Sequence, residues 1–297
     1  MNRSTHELLT PRERVLMAIR HQETDRLPRG EFLVEEAFLN RLYPEKAKAS
    51  FTKKMRHLVQ EVDLDLVTVR IIHGEEGNRG LKELAKWAIE TPCFVMALLD
   101  GLFWKPEDPL TFEEFILGIR QGEGRIGELI RIKKERALDL IQRCLDEGAH
   151  GLIIGDDLAY NRGTFVSPED LRIWVFPGLQ EMVEAIKMGN GTAFLHSCGN
   201  LTEIVDMILH IGFDGLHGLA PSAGNDPMAI REKTQKRLAL MGIFEVDRLL
   251  PRQLEAMKEE ILPALAAGGG YILGSAEGLS MNTPLGSFRA LYSLKSA

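Results

Sequence analysis

Apolar residues in this chain fall into short continuous runs separated by amphipathic stretches of helical period. The runs lie at residues 31–34, 64–72, 93–99, 151–154, 193–198, 214–217, 238–243 and 271–274. Nearly unbroken runs of this length mark strands covered on both faces, as in a parallel sheet. Helical periodicity fills the intervals at 36–49, 53–61, 81–89, 111–120, 127–147, 167–188, 201–211, 228–234 and 252–267, and closes the chain at 285–294. A further helix opens before the first strand. There Thr10 can cap, Pro11 suits the first turn and Glu13 completes a capping box. Thr111-Phe112-Glu113-Glu114 is a second such box.

Eight strands alternating with helices in 297 residues predict an α/β fold. The expected form is a single (β/α)8 TIM-type barrel spanning residues 1–297, with an N-terminal helical extension. A doubly wound sheet would carry a glycine-rich phosphate turn after its first strand. Here Gly268-Gly269-Gly270 precedes a strand instead.

Composition narrows the function classes. With 44% hydrophobic and 27% charged residues the chain can bury a full core. A net charge of -7 without a basic stripe argues against nucleic acid as a partner. The segment 1–7 is polar, and the longest apolar stretch, near 94–104, is broken by Asp100, so no signal core or membrane span is expected. Three cysteines, Cys93, Cys144 and Cys198, give no disulfide framework and fit a reducing cytoplasm.

Candidate chemistry gathers where strands end, the face on which barrel sites lie. Alternation along the fifth strand turns His196 and Cys198 the same way. That pair reads either as a core histidine beside a buried thiol or as part of a zinc site. Asp156 and Asp157 follow the fourth strand directly, and adjacent carboxylates require partners or water. Glu31, Glu35, Arg70, His73, Asp100, His217, Glu245 and residues 275–277 complete the polar rim, with Glu35, His73 and Glu245 expected to be caps or solvated.

These residues carry a resemblance. Pro11-Arg12-Glu13-Arg14-Val15-Leu16 with Asp25-Arg26-Leu27-Pro28, Gly155-Asp156-Asp157-Leu158, His196-Ser197-Cys198-Gly199-Asn200, Gly212-Phe213-Asp214-Gly215-Leu216 and Asn282-Thr283-Pro284-Leu285 occur in the order seen in the uroporphyrinogen decarboxylase superfamily. The chain most resembles the cobalamin-dependent (corrinoid) methyltransferase branch. Decarboxylases of that superfamily hold a tetrapyrrole with a Gly-Arg-Tyr segment after the first strand and an Asp after the second. This chain has Gly30-Glu31-Phe32 and Arg70 there, so uroporphyrinogen decarboxylation itself is not expected.

The resemblance implies a zinc site with His196 and Cys198 as ligands. The family's distant cysteine is replaced by Glu277 when Asn282-Thr283-Pro284 is aligned. It implies methyl transfer between a corrinoid-binding partner protein and a small thiol or pterin acceptor. Asp156, Asp157 and His217 would be catalytic, and Glu31, Arg70 and Asn161 would hold cofactor or acceptor. Two alternatives stay open: a metal-free lyase with the Asp pair and His217 as acid and base, and a non-catalytic corrinoid or tetrapyrrole binder. Barrels of this family often form homodimers, for which 98–104 would supply an apolar interface or a lid.

Overall fold

Seven strands of the computed structural model lie side by side and parallel. It describes residues 8–293, so the polar segment 1–7 and the last expected helical residue, 294, lie outside the described residues. In chain order the strands are β1 (Leu66–Arg70), β2 (Phe94–Asp100), β3 (Gly151–Gly155), a small hairpin of β4 (Ala159–Tyr160) and β5 (Gly163–Thr164), β6 (Thr192–His196), β7 (Gly215–His217), β8 (Ala239–Met241) and β9 (Tyr271–Ile272). The sheet order is β1-β2-β3-β6-β7-β8-β9. Arg29 and Gly30 supply the eighth stave, Gly30 bridging Leu66 on one side and Arg29 bridging Leu273 on the other. This closes the expected barrel.

The helices are α1 (Pro11–Ile19), α2 (Glu36–Leu42), α3 (Phe51–Val62), α4 (Glu75–Glu90), α5 (Phe112–Gln121), α6 (Gly124–Asp146), α7 (Pro168–Trp174), α8 (Phe176–Met188), α9 (Val205–His210), α10 (Pro227–Lys233), α11 (Pro251–Ala266) and α12 (Leu285–Tyr292). Both capping boxes form, Thr10 with Glu13 and Thr111 with Glu114.

Strand alternation divides the core in two. Leu66, Phe94, Met96, Leu98, Ile153, Phe194, Ala239, Met241 and Ile272 fill the barrel interior, and the intervening residues, such as Val67, Val95, Ala97, Leu152 and Leu195, pack outward against the helices. Val15, Ala18 and Ile19 of α1 join the interior cluster next to Leu66 and Phe94, the residues at the starts of their strands. The N-terminal extension is therefore a plug in the barrel floor.

A buried ion network fastens that plug. Asp65 is fully buried and accepts from Arg14 Nη1 at 2.5 Å, Arg26 Nη1 at 2.7 Å and the Arg29 N–H at 3.0 Å. Arg14 also pairs with Asp25 at 2.6 Å. Much of the N-terminal motif read from the sequence is thus a structural clamp.

Three expectations are corrected. The first stave pairs at Arg29–Gly30 and again at Val34, which bridges Leu279, rather than continuously along 31–34; between them the Glu31 carboxylate is drawn to Ser275 and Tyr292 while Phe32 turns over two histidines. The second helix ends at Leu42, just before Pro44, whose ring cannot continue it. The stretch 98–104 is not an exposed interface or lid: Leu98, Leu99, Leu102 and Phe103 are all buried within this chain. No helix among the described residues is long and apolar enough to cross a membrane.

Candidate active site

The parallel register builds the site. Gly155 of β3 pairs with His196 of β6, and His196 pairs with His217 of β7, so both imidazoles stand in one layer at the carboxyl end of the barrel. Two residues beyond that register lie Asp157 and Cys198. Asp157 Oδ1 accepts the Cys198 backbone N–H at 3.0 Å. His196 Nε2 lies 3.7 Å from Cys198 Sγ. One ligand atom each from Asp157, His196 and Cys198 falls within 4.8 Å of the other two.

This donor set fits zinc. Bonds of about 2.0–2.3 Å at tetrahedral angles put neighbouring ligand atoms about 3.5 Å apart. Imidazole, thiolate and carboxylate are all ordinary zinc ligands, and three of them leave one position open. Without a cation the arrangement disfavours a thiolate. Burial, then the nearby charges of Asp157 and Glu277, push the Cys198 thiol up to about 12.

Hydrogen bonds fix the histidine tautomers. The Ser275 carbonyl can only accept, so His217 Nε2, 3.1 Å away, donates to it. A neutral ring has one N–H, so His217 Nδ1 must accept, and His196 Nδ1, at 2.7 Å, donates to it. His196 Nε2 then presents a bare lone pair toward Cys198 and Asp157. Both rings are held neutral. Burial, then the charge of Lys105, lowers His196 to about 3; burial, then its neighbour His196, lowers His217 well below the ordinary value. Phe32 stacks on both, with ring centroids 3.9 Å and 4.5 Å away.

The remaining candidates sit as follows. Asp156 is fully buried, and its two oxygens accept the N–H groups of Leu102 at 2.9 Å and Phe103 at 2.8 Å. Burial raises its pKa. Expected as a catalytic carboxylate, it braces the loop after β2. His217, fully buried, has both ring nitrogens engaged. Glu31, expected to hold cofactor, is buried in the wall. It accepts from Ser275 and from the Tyr292 hydroxyl, and burial pushes it up to about 7. Arg70 is exposed at the end of β1, 3.7 Å from Asp100. Asn161 is exposed in the β4–β5 turn.

Glu277 is exposed and is not among the three clustered residues, whose carboxylate is that of Asp157. Partial desolvation at the mouth, then Asp247 and other nearby acids, raises its pKa. Glu35 and Glu245 accept backbone N–H groups, of Met281 and Ser222 respectively. Sequence reading missed Phe32 and Lys105. It named Asp157 for catalysis rather than as a neighbour of Cys198, although counting two residues past a paired Gly155 and His196 would have placed the two opposite each other.

Comparisons with known proteins follow the geometry. The family model described as Uroporphyrinogen decarboxylase (URO-D) matches residues 111–295. No curated protein matches the sequence. Among solved structures, a methyltransferase from Methanosarcina mazei superposes with a TM-score of 0.77 at 17% identity, covering 96% of this chain and 97% of that one. A B12-independent methionine synthase from Shewanella sp. W3-18-1 gives 0.56 at 12% identity, covering 91% and 94%. D-psicose 3-epimerase from Clostridium cellulolyticum H10 gives 0.52 at 11% identity, covering 82% and 91%. Likeness at these identities is a likeness of fold.

Proposed function

The chain belongs to the uroporphyrinogen decarboxylase family, and we propose that within it this protein is a zinc-dependent methyltransferase, moving a methyl group between a corrinoid-binding partner and a small thiol or pterin acceptor. One observation carries the reading. Asp157, His196 and Cys198 converge, and the His196 lone pair is aimed among them by His217 and Ser275. The overlap with the Methanosarcina mazei methyltransferase along nearly all of both chains supports it. Arg70, at the place where decarboxylases of the family carry an Asp, supports it too.

In this reading His196, Cys198 and Asp157 hold the metal, and Glu277 is the rim carboxylate beside them. Zinc supplies Lewis acidity that favours the deprotonated, nucleophilic form of a thiol acceptor. His217 and Ser275 keep the ligand histidine in one tautomer. Phe32 covers the flat faces of both rings and keeps water from them. Asp156 holds the loop after β2 against β3, which fixes where Asp157 begins. Asn161 and Glu277 line the approach for the acceptor. The corrinoid arrives with the partner protein at the mouth of the barrel. Three free cysteines suit a reducing compartment such as the cytoplasm.

A metal-free lyase would need Asp156, Asp157 or His217 to exchange protons with substrate. Asp156 and His217 are fully buried with their polar atoms engaged, and exposed Asp157 stands beside His196 and Cys198, which favours the metal reading. Elemental analysis of purified protein, with methyl transfer from methylcobalamin to a panel of thiols, tests the proposal. The expected result is about one zinc per chain, lost together with transfer in Cys198→Ser. A zinc-free protein, or a Cys198→Ser variant that keeps both metal and activity, would overturn it.

A further inference from the structure

A cleft of about 570 Å³ opens between the ends of β1 and β2 and the middle of α6. Its floor and one wall are apolar, made by Ile71, Ile72, Leu99 and Leu140. Its rim carries four cations, Arg70, Lys105, Lys133 and Arg136, against three carboxylates, Asp100, Glu107 and Asp108, an excess of one positive charge. Pairing leaves part of that charge free. Lys133 is matched to Asp108 at 2.7 Å. Asp100 is shared between Arg70 at 3.7 Å and Lys105 at 3.9 Å, both long contacts. Arg136 is exposed and makes no hydrogen bond or ion pair among the described residues.

The cleft and the three-ligand cluster share the carboxyl-end rim of the barrel, the cleft on the helix side of the wall, where Ile71, Leu99 and Leu140 pack, and His196 on the inner side beneath Phe32. Asp100 pairs with Gly155, and Gly155 with His196, so the cleft edge and the ligand histidine share one row two strands apart. At ordinary strand spacing that is a span of about 10 Å. Gly101, also in the cleft wall, lies against Asp156: a Cβ there would come within 2.3 Å of its Cγ. The Lys105 charge acts on His196, Cys198 and Asp156 alike.

We propose that this cleft holds the acid group of the methyl-bearing or methyl-accepting substrate, and that the substrate is an amphiphilic acid of aromatic size. Its carboxylate lies among Arg70, Arg136 and Lys105, its apolar body rests on Ile71, Ile72 and Leu140, and its reacting end passes over the rim at Asp100 and Gly101 toward the mouth. A two-carbon tail would not cross the span or fill the volume, whereas ligand pockets of about 300–1,000 Å³ suit drug-sized molecules. Naming the ligand as substrate rests on the methyl-transfer reading; the binding site does not.

The experiment uses metal-stripped protein, with 4-methoxybenzoate and its neutral counterpart 4-methoxybenzamide titrated by calorimetry at low salt. The acid should bind at least tenfold tighter than the amide. Arg70→Gln and Arg136→Gln, both exposed positions, should each weaken the acid about tenfold and leave the amide unchanged. Equal binding of the two compounds, no binding of the acid to the unaltered protein, or variants that bind the acid as before would each overturn the inference. Zinc content is measured on separate unstripped samples. A zinc-replete protein that ignores the acid sinks the cleft alone, and a zinc-free protein that binds the acid sinks the metal reading alone.

Discussion

His196 and His217 meet nitrogen to nitrogen, Nδ1 to Nδ1 at 2.7 Å, and the Ser275 carbonyl beyond them decides which ring keeps the shared proton. Removing that control leaves all three proposed ligands in place but frees the His196 ring to rotate or change tautomer. His217→Phe should therefore weaken zinc binding about 10–100-fold, the usual effect of losing such a partner. Competition against a chromophoric chelator measures it. Unchanged affinity would mean that His217 only fills space.

Gly242 reaches the same pair from outside. Its φ is +66°, and a Cβ there would lie 2.3 Å from the Ser275 carbonyl oxygen and 2.4 Å from His217 Nε2. Gly242→Ala drives a methyl between donor and acceptor. Zinc affinity should fall as in His217→Phe, with added backbone strain of about 1–2 kcal/mol from the left-handed conformation. Combining the two substitutions should cost much less affinity than the product of their separate effects, since they break one chain of bonds.

Neighbouring carboxylates should respond in opposite ways. Asp156→Asn puts an amide where two backbone N–H groups now find acceptors, so stability should drop by about 1–3 kcal/mol with zinc retained. Asp157→Asn removes an exposed carboxylate, so stability should barely change while zinc is lost or loosened. Urea unfolding beside elemental analysis separates them. Zinc lost from Asp156→Asn and kept by Asp157→Asn would reverse the assignment.

Acid should destabilise the fold earlier than carboxylates alone would cause. His150 is lowered to about 4 by burial first and by Arg12, and its Nδ1 lies 2.9 Å from the Val95 N–H. Its unfolded counterpart takes a proton near 6.5. The unfolded state thus binds more protons between those values. Stability is complete above pH 6.5, falls as the pH drops toward 4, and stops changing through this group below that. His196 and His217 add to the same trend. Urea midpoints from pH 7.5 to 4.5 should decline, and His150→Gln should flatten the slope by about one proton, roughly 1.4 kcal/mol per pH unit. A parallel decline in that variant would refute the assignment.

Local physics made much of the barrel readable. An apolar run such as Phe94 to Leu99 cannot be solvated on either face, and Thr10 with Glu13 closes a helix end within one turn. The site was readable only in part. His196 and Cys198 are two residues apart, so their meeting is local. Asp157 joins them because β3 and β6 pair in a particular register, which segments about forty residues apart settle only on folding. Aligning the chain at Asn282 could not show that, and it directed the third ligand to Glu277. Asp156 and Asp157 have the same chemistry and adjacent places, yet one turns into the wall and the other to the mouth. Arg14 and Asp65 show the converse: a motif read through its resemblance serves to anchor the floor.

The barrel wall is joined at Arg29 and Gly30, with one bridged residue to each side, and again at Val34, which bridges Leu279. Between these joints is Phe32, the ring laid over both imidazoles. Backbone bonds hold the chain on both sides of that ring, Gly30 to Leu273 before it and Leu279 to Leu33 after it, so the cover over the imidazoles is part of the wall itself.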